Sequence, residues 1–248
     1  MTTKVIYTTK NLKSLNLRVE RVDWTRIAND LDSNGYAVVP GFLSQGECRA
    51  QINRFSSNHE YRKTVVMERY RFGLGVYKYW DYPLPDPVQI LREELYPRLA
   101  VIANEWMDML RIDQRFPAAF EGLNAQCHAN GQRQPTPLIL KYGKGGFNTL
   151  HQDLYGDIHF PIQAALFLTQ PGEDYTGGEF VLTQQSPRAQ SKVTVLTPKM
   201  GDMIIFTTNF RPIRGSRSYY RVTMKHGVSE VLSGERYAMG IIFHDAVR

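Results

Sequence analysis

The chain has 248 residues, of which 42% are hydrophobic and 22% charged. This suits one large packed domain, or one domain with a substantial extension, and excludes a disordered or fibrous chain. Two cysteines, Cys48 and Cys127, are too few for a disulfide framework, and a formal charge of +6 tolerates a polyanionic partner without requiring one.

Residues 1–20 mix Thr, Lys and Asn with short apolar stretches and show no apolar leader. No apolar run elsewhere approaches a membrane span, so the expected location is the cytoplasm. Asp23 is placed to cap a helix whose apolar residues Trp24, Ile27 and Leu31 recur at spacings of three and four. Residues 35–42 (GYAVVPGF) read as a short strand ending at Pro40-Gly41. Ser44 and Glu47 fit a capping box, which predicts a helix to about Phe55. Asp86-Pro87 reads as a cap followed by proline at the first helical position. Val88, Leu91 and Leu95 then form one stripe, Pro97 is expected to break or kink it, and Leu99, Ile102, Trp106 and Leu110 continue it. These stripes read as core.

From Pro135 onward the chain changes to short β-branched and aromatic runs separated by Gly, Pro and Asn. Strands are expected at 138–142, 163–169, 179–182, 192–196, 203–207, 225–231 and 237–244. Such spacing suggests an antiparallel barrel or sandwich. The chain therefore divides into a mainly helical buttress, 1–134, and a β core, 135–248, without a linker between them. The fold class is α+β.

Familiar nucleotide and hydrolase motifs fail. Gly143-Lys144-Gly145-Gly146 lacks the Lys-Ser/Thr ending of a phosphate loop, and Gly73-Leu74-Gly75 lacks the third glycine of a dinucleotide fingerprint. No G-x-S-x-G is present, and neither cysteine has a metal-spaced partner. Among six histidines, His151 stands in a metal-like setting, His151-Gln152-Asp153. Residues two apart at a strand end share a face, so an imidazole and a carboxylate can reach one ion. His226, in a β-like stretch, offers a third ligand from another strand. Two imidazoles and one carboxylate leave three positions open, as non-haem Fe(II) requires to bind a co-substrate and O2. His159 reads as a pocket or surface group, and His244 is not assigned to the ion.

Arg236 follows the turn Ser233-Gly234-Glu235. Its permanently charged fork suits an organic carboxylate. Arg236, Ala238, Gly240 and Ile242 share one face by parity, and the small Ala238 and Gly240 would leave room beside a metal.

The ordered set YGKGG (142–146), HQD (151–153), GGEF (177–180), PKMGDMIIF (198–206), HGV (226–228) and GERY (234–237) resembles the 2-oxoglutarate/Fe(II)-dependent dioxygenases of the prolyl-hydroxylase type. GYAVVPGFLS (35–44) is similar to that family's lead-in. Wider stretches (133–143, 151–163, 176–182, 211–229 and 240–246) resemble a bacterial branch described as AlkB-like oxygenases acting on damaged DNA. The resemblance implies a double-stranded β-helix with iron held by His151, Asp153 and His226. It implies 2-oxoglutarate chelating that iron, its distal carboxylate paired with Arg236 and hydrogen-bonded by Tyr142. O2 would be consumed, with succinate and CO2 as co-products.

Two basic, aromatic stretches bear on the substrate. Residues 209–225 carry Arg211, Arg214, Arg217, Arg221 and Lys225 with no acid, interleaved with Phe210, Tyr219 and Tyr220. Residues 61–79 carry Arg62, Lys63, Arg69, Arg71 and Lys78 among aromatics, with Glu68 the only acid. Both suit a single-stranded or flipped-out nucleotide, or are solvated loops over the barrel edge. Tyr155, Arg214, Arg217 and Tyr220 are the candidate substrate contacts. Where AlkB-like DNA dioxygenases carry a second arginine six residues after the co-substrate arginine, this chain has Ile242. The ten-residue spacing from His226 to Arg236 is that of the hydroxylases. A protein or amino-acid hydroxylase is therefore the alternative, and a non-enzymatic cupin-like binding module a further one.

Overall fold

The computed structural model describes residues 9–57 and 59–248. Residues 1–8, part of the stretch read as lacking a leader, lie outside them. No helix among the described residues is long and apolar enough to cross a membrane.

Two antiparallel sheets carry the fold. The larger runs, in order, Tyr36–Val39, Met203–Thr207, Ile162–Phe167, Arg236–Ile241, Leu138–Tyr142, Val76–Trp80 and Tyr61–Val66. The smaller runs Ser191–Leu196, Phe180–Gln185, Tyr219–Val228, Phe147–His151 and Gly73–Leu74, with Phe210–Arg214 also paired to Tyr219–Val228. Side chains alternate between the two faces of a strand. On the larger sheet Tyr237, Met239 and Ile241 join Ile139, Leu166 and Ile205 in one core with the helices. The opposite face meets the smaller sheet, where Phe167, Ile204 and Phe206 pack with Phe180 and Leu182.

The helices follow their local signals closely. Asp23 caps Trp24–Asn34, its side chain accepting from the Arg26 N–H, and Gly35 ends the helix in the left-handed conformation. The Ser44–Glu47 capping box starts Gln45–Arg54. The helix Asp86–Leu110 departs from expectation twice. Asp86 is itself helical, with Pro85 at the cap, and Pro97 lies inside a continuous helix. An internal proline costs about 3 kcal/mol. Here Leu91, Leu95, Leu99, Ala103 and Trp106 on both sides of it are all buried in the same core, which holds the two halves in line. Two helices carried no recognised signal, Thr9–Glu20 and Phe120–Ala129.

The N-terminal half is more than a helical support. Tyr36–Val39, Tyr61–Val66 and Val76–Trp80 all belong to the larger sheet, where Val76–Trp80 pairs with Leu138–Tyr142. The first of these was expected; the other two fall on the basic, aromatic stretch 61–79, the second running one residue past it. The strand expected at 225–231 begins earlier, at Tyr219, and the last strand stops at Ile241 rather than His244. Phe147–His151 was also unanticipated.

Beyond the last strand, Arg92 and Asp245 form a buried ion pair at 2.6 Å. Arg92 also donates to the carbonyls of Ile242 and Phe243. Between these points His244 is buried, its Nδ1 accepting from the Phe160 N–H. Burial, with His159 nearby, pushes its pKa down to about 3. The unfolded chain therefore binds a proton between about pH 6.5 and 3 that the native chain does not, and stability falls as pH falls through that window. Urea titrations should show His244→Gln losing less stability than wild type on acidification, by about 1.4 kcal/mol per pH unit.

Candidate metal centre and its pocket

His151 ends the strand Phe147–His151 and lies directly opposite His226 of Tyr219–Val228 in the antiparallel register. Their rings are 4.2 Å apart. Asp153, two residues on, closes the set. His151, Asp153 and His226 each offer a ligand atom, and these atoms all lie within 4.8 Å of one another. The Asp153 carboxylate is 3.3 Å from His226 Nε2 and 3.6 Å from His151 Nε2. His151 Nδ1 is 2.8 Å from the Thr149 carbonyl. A proton on Nδ1 donates there and leaves the Nε2 lone pair facing Asp153.

The protonation states suit a cation. Burial, then the neighbouring His226, pushes His151 below its ordinary pKa, toward the neutral ligand form. Burial would raise Asp153, but the two histidines and the Tyr155 hydroxyl outweigh it and hold the carboxyl well below the usual range. A carboxylate and two imidazoles, nitrogen and oxygen donors only, fit Fe(II) with coordination positions to spare.

Asp153 is gripped from both sides. Tyr155 donates to one carboxylate oxygen at 2.6 Å and Gln163 to the other at 2.8 Å. Tyr79 in turn donates to the Tyr155 hydroxyl at 3.2 Å. Ligands oriented this way typically lose about 10- to 100-fold in metal affinity when the outer partner is removed. Tyr155→Phe is expected to weaken Mn(II) or Co(II) binding by about tenfold or more, read by calorimetric titration.

The triad opens into a cavity of about 220 Å³. Arg236, Ala238, Gly240 and Ile242 line it, as their shared parity requires. Arg236 is buried, with the rings of Tyr142 and Phe167 at 5.5 and 5.4 Å and Tyr175 also close by. Its Nε has no partner, and no carboxylate pairs with it among the described residues. Gly178 explains the GGE motif: it adopts φ +63°, and a Cβ there would stand 2.9 Å from Arg236 Cδ. Tyr142 is buried beside Arg236, and burial pushes its pKa up to about 12.

The other sequence candidates divide. Tyr155 lines the cavity. Arg214 and Arg217 line a separate surface cleft with Met109 and Arg111, and Tyr220 lines neither. Arg211 is buried, binding the carbonyls of Asp32 and Ser33 and the Gln184 side chain, so it serves the fold. His159 lies beside His244, ring centroids 6.4 Å apart, and is not in the triad. Tyr79, Gln163 and Asn148 also line the cavity and went unrecognised, because their placement depends on strand register that the sequence does not display.

Comparison with known proteins gives a consistent picture. A family model described as "Oxygenase, catalysing oxidative methylation of damaged DNA" matches residues 75–246. An uncharacterised protein of Mycobacterium tuberculosis is 47% identical over 164 residues, covering 66% of this chain and 70% of that one. A prolyl-4-hydroxylase from Pseudomonas putida has a similar structure, with TM-score 0.53 and 16% identity over 90% of this chain and 98% of that one. A 2OG-Fe(II) oxygenase family oxidoreductase from Burkholderia pseudomallei gives TM-score 0.52 and 16% identity over 92% and 95%. At that identity the likeness to the solved structures is one of fold.

Proposed function

The chain belongs to the oxygenase family whose model spans its residues 75–246, and from that premise we propose an Fe(II)- and 2-oxoglutarate-dependent dioxygenase with a double-stranded β-helix core. Its substrate in this reading is alkylated or otherwise damaged nucleic acid. The observation that carries the co-substrate is Arg236, a buried guanidinium without a counter-ion among the described residues, in the same cavity as a His-Asp-His triad. A buried charge left unpaired is costly, so the cavity favours an anion. A dicarboxylate that chelates a metal at one end and reaches Arg236 with the other answers both features.

Bound Fe(II) and 2-oxoglutarate supply O2 activation, with succinate and CO2 formed as one oxygen atom goes to the substrate. The protein's own residues orient and exclude. His151, Asp153 and His226 would hold the metal, while Tyr155 and Gln163 fix the Asp153 carboxylate. Arg236 and Tyr142 would take the distal carboxylate. Phe167, Phe180 and Phe206 wall the cavity and limit water near the reacting groups.

The nucleic-acid substrate rests on the family description and the chain's positive charge. Oxidation of an N-alkyl carbon would release it as an aldehyde. The test is a turnover assay with methylated oligonucleotides, proline-containing peptides and free amino acids. Succinate should form only with Fe(II), O2 and 2-oxoglutarate, and methylated single strands should stimulate it. A protein that binds Fe(II) yet never forms succinate would end the oxygenase reading. Stimulation by peptides alone would move the substrate to the hydroxylase class.

A further inference from the structure

Tyr70 and Phe72 are half exposed, at 53% and 45%, and stack on each other with centroids 5.5 Å apart and planes 17° from parallel. Phe72 lines the metal cavity. Its carbonyl accepts from both the N–H and the hydroxyl of Thr149, two residues before His151. The turn that presents the pair is tightly held. The short helix Met67–Tyr70 ends in Arg71 with φ +59°, and the Phe72 N–H returns to the Met67 carbonyl. Gly73 has φ +140°, and a Cβ there would stand 2.2 Å from the Phe147 carbonyl. Leu150 and Leu154, on either side of the ligands His151 and Asp153, are also exposed.

Exposed stacked rings beside a cavity lined largely by apolar and aromatic side chains are an apolar surface open to solvent. Arg69 and Arg71 flank them, both exposed and in no ion pair among the described residues. Stacking rings with unpaired cations match a nucleobase and its phosphates. Uncharged peptide would use the rings but leave the cations idle. The more basic hairpin 210–221 is placed less well: Tyr220 is six residues of extended strand from His226, about 20 Å.

We infer that Tyr70, Phe72, Arg69 and Arg71 form a docking platform for single-stranded nucleic acid at the mouth of the metal cavity. A base stacks on the ring pair, the arginines hold adjacent phosphates, and the neighbouring base enters the cavity. This inference rests on the nucleic-acid reading of the substrate.

The experiment is fluorescence anisotropy with labelled dT12 and rU12 on the full metal-free chain. Tyr70→Ala/Phe72→Ala is expected to weaken binding by about five- to 150-fold. Tyr70→Phe/Phe72→Tyr, which keeps both rings, should stay within about twofold of wild type. Arg69→Gln/Arg71→Gln should weaken binding and reduce the slope of log affinity against log salt by about 1.4, the value for two phosphate contacts on a single strand. Circular dichroism establishes that each variant is folded. The platform is overturned if the folded Ala variant binds like wild type, if Arg214→Gln/Arg217→Gln removes binding instead, or if wild type binds neither strand. Succinate formation by wild type, measured alongside, reports separately on the oxygenase reading.

Discussion

Replacing Arg236 with methionine is expected to raise the 2-oxoglutarate concentration for half-maximal turnover by about 100-fold or more. Fe(II) affinity should change by only a few-fold, because Arg236 lies outside the His-Asp-His cluster that could hold the metal. Breaking a buried ion pair by removing one partner costs about 3–5 kcal/mol, two to three and a half decades in affinity. Free-state stability should move the opposite way. The Arg236 guanidinium is buried between Tyr142 and Phe167 with no carboxylate paired to it among the described residues, so a neutral side chain of similar length relieves a desolvated charge. The methionine variant should therefore melt at or above the wild-type temperature without co-substrate. Adding Mn(II) and 2-oxoglutarate should raise the wild-type melting temperature and leave the variant nearly unmoved. Thermal melts with and without 2-oxoglutarate, beside succinate assays, check both halves. An unchanged requirement for 2-oxoglutarate would remove Arg236 from the co-substrate site.

Asp153→Ala should abolish turnover, because it removes the one carboxylate of the His-Asp-His cluster that could hold the metal. Metal binding should be lost with it, visible as the absence of a Co(II) absorption signal. The substitution also strands the Tyr155 hydroxyl and the Gln163 amide, each buried donor costing about 1–3 kcal/mol when unsatisfied. His151→Ala should abolish turnover as well, without stranding those donors. His159→Ala, although it changes a histidine only six residues after Asp153, should retain metal binding, since His159 stands outside the triad. Loss of Co(II) binding in the His159 variant would require a different ligand set.

The triad was legible because two local patterns carry it: a strand-end His-x-Asp and a histidine in a β-rich run. Arg236 was legible through parity, and the structure places Arg236, Ala238, Gly240 and Ile242 on one cavity-lining face. Basic stretches were the weak point. Composition cannot separate an arginine that anchors a turn from one that meets a ligand. Arg211, with three partners inside the fold, looked the same in sequence as the exposed Arg214. Residues 61–66 and 76–80 escaped because Arg, Lys and Tyr mask their strand character. Lys78 shows how the charge is accommodated, its ammonium donating to the Phe55 carbonyl and lying over the Phe55 and Tyr61 rings. The clamp on Asp153 was invisible because Tyr155 reaches it only through the turn after the strand, and Gln163 reaches it from a different strand.

The pairing of Val76–Trp80 with Leu138–Tyr142 also bears on how this enzyme can be divided. A fragment beginning at residue 135 would leave Leu138–Tyr142 with a raw hydrogen-bonding edge, an invitation to intermolecular strand pairing. It would lose Tyr77 and Tyr79 from the cavity wall, and with Tyr79 the hydroxyl that steadies Tyr155. The larger sheet and the cavity wall are thus built from both halves of the chain, and a minimal active version is expected to need the strands before residue 81 together with those after residue 135.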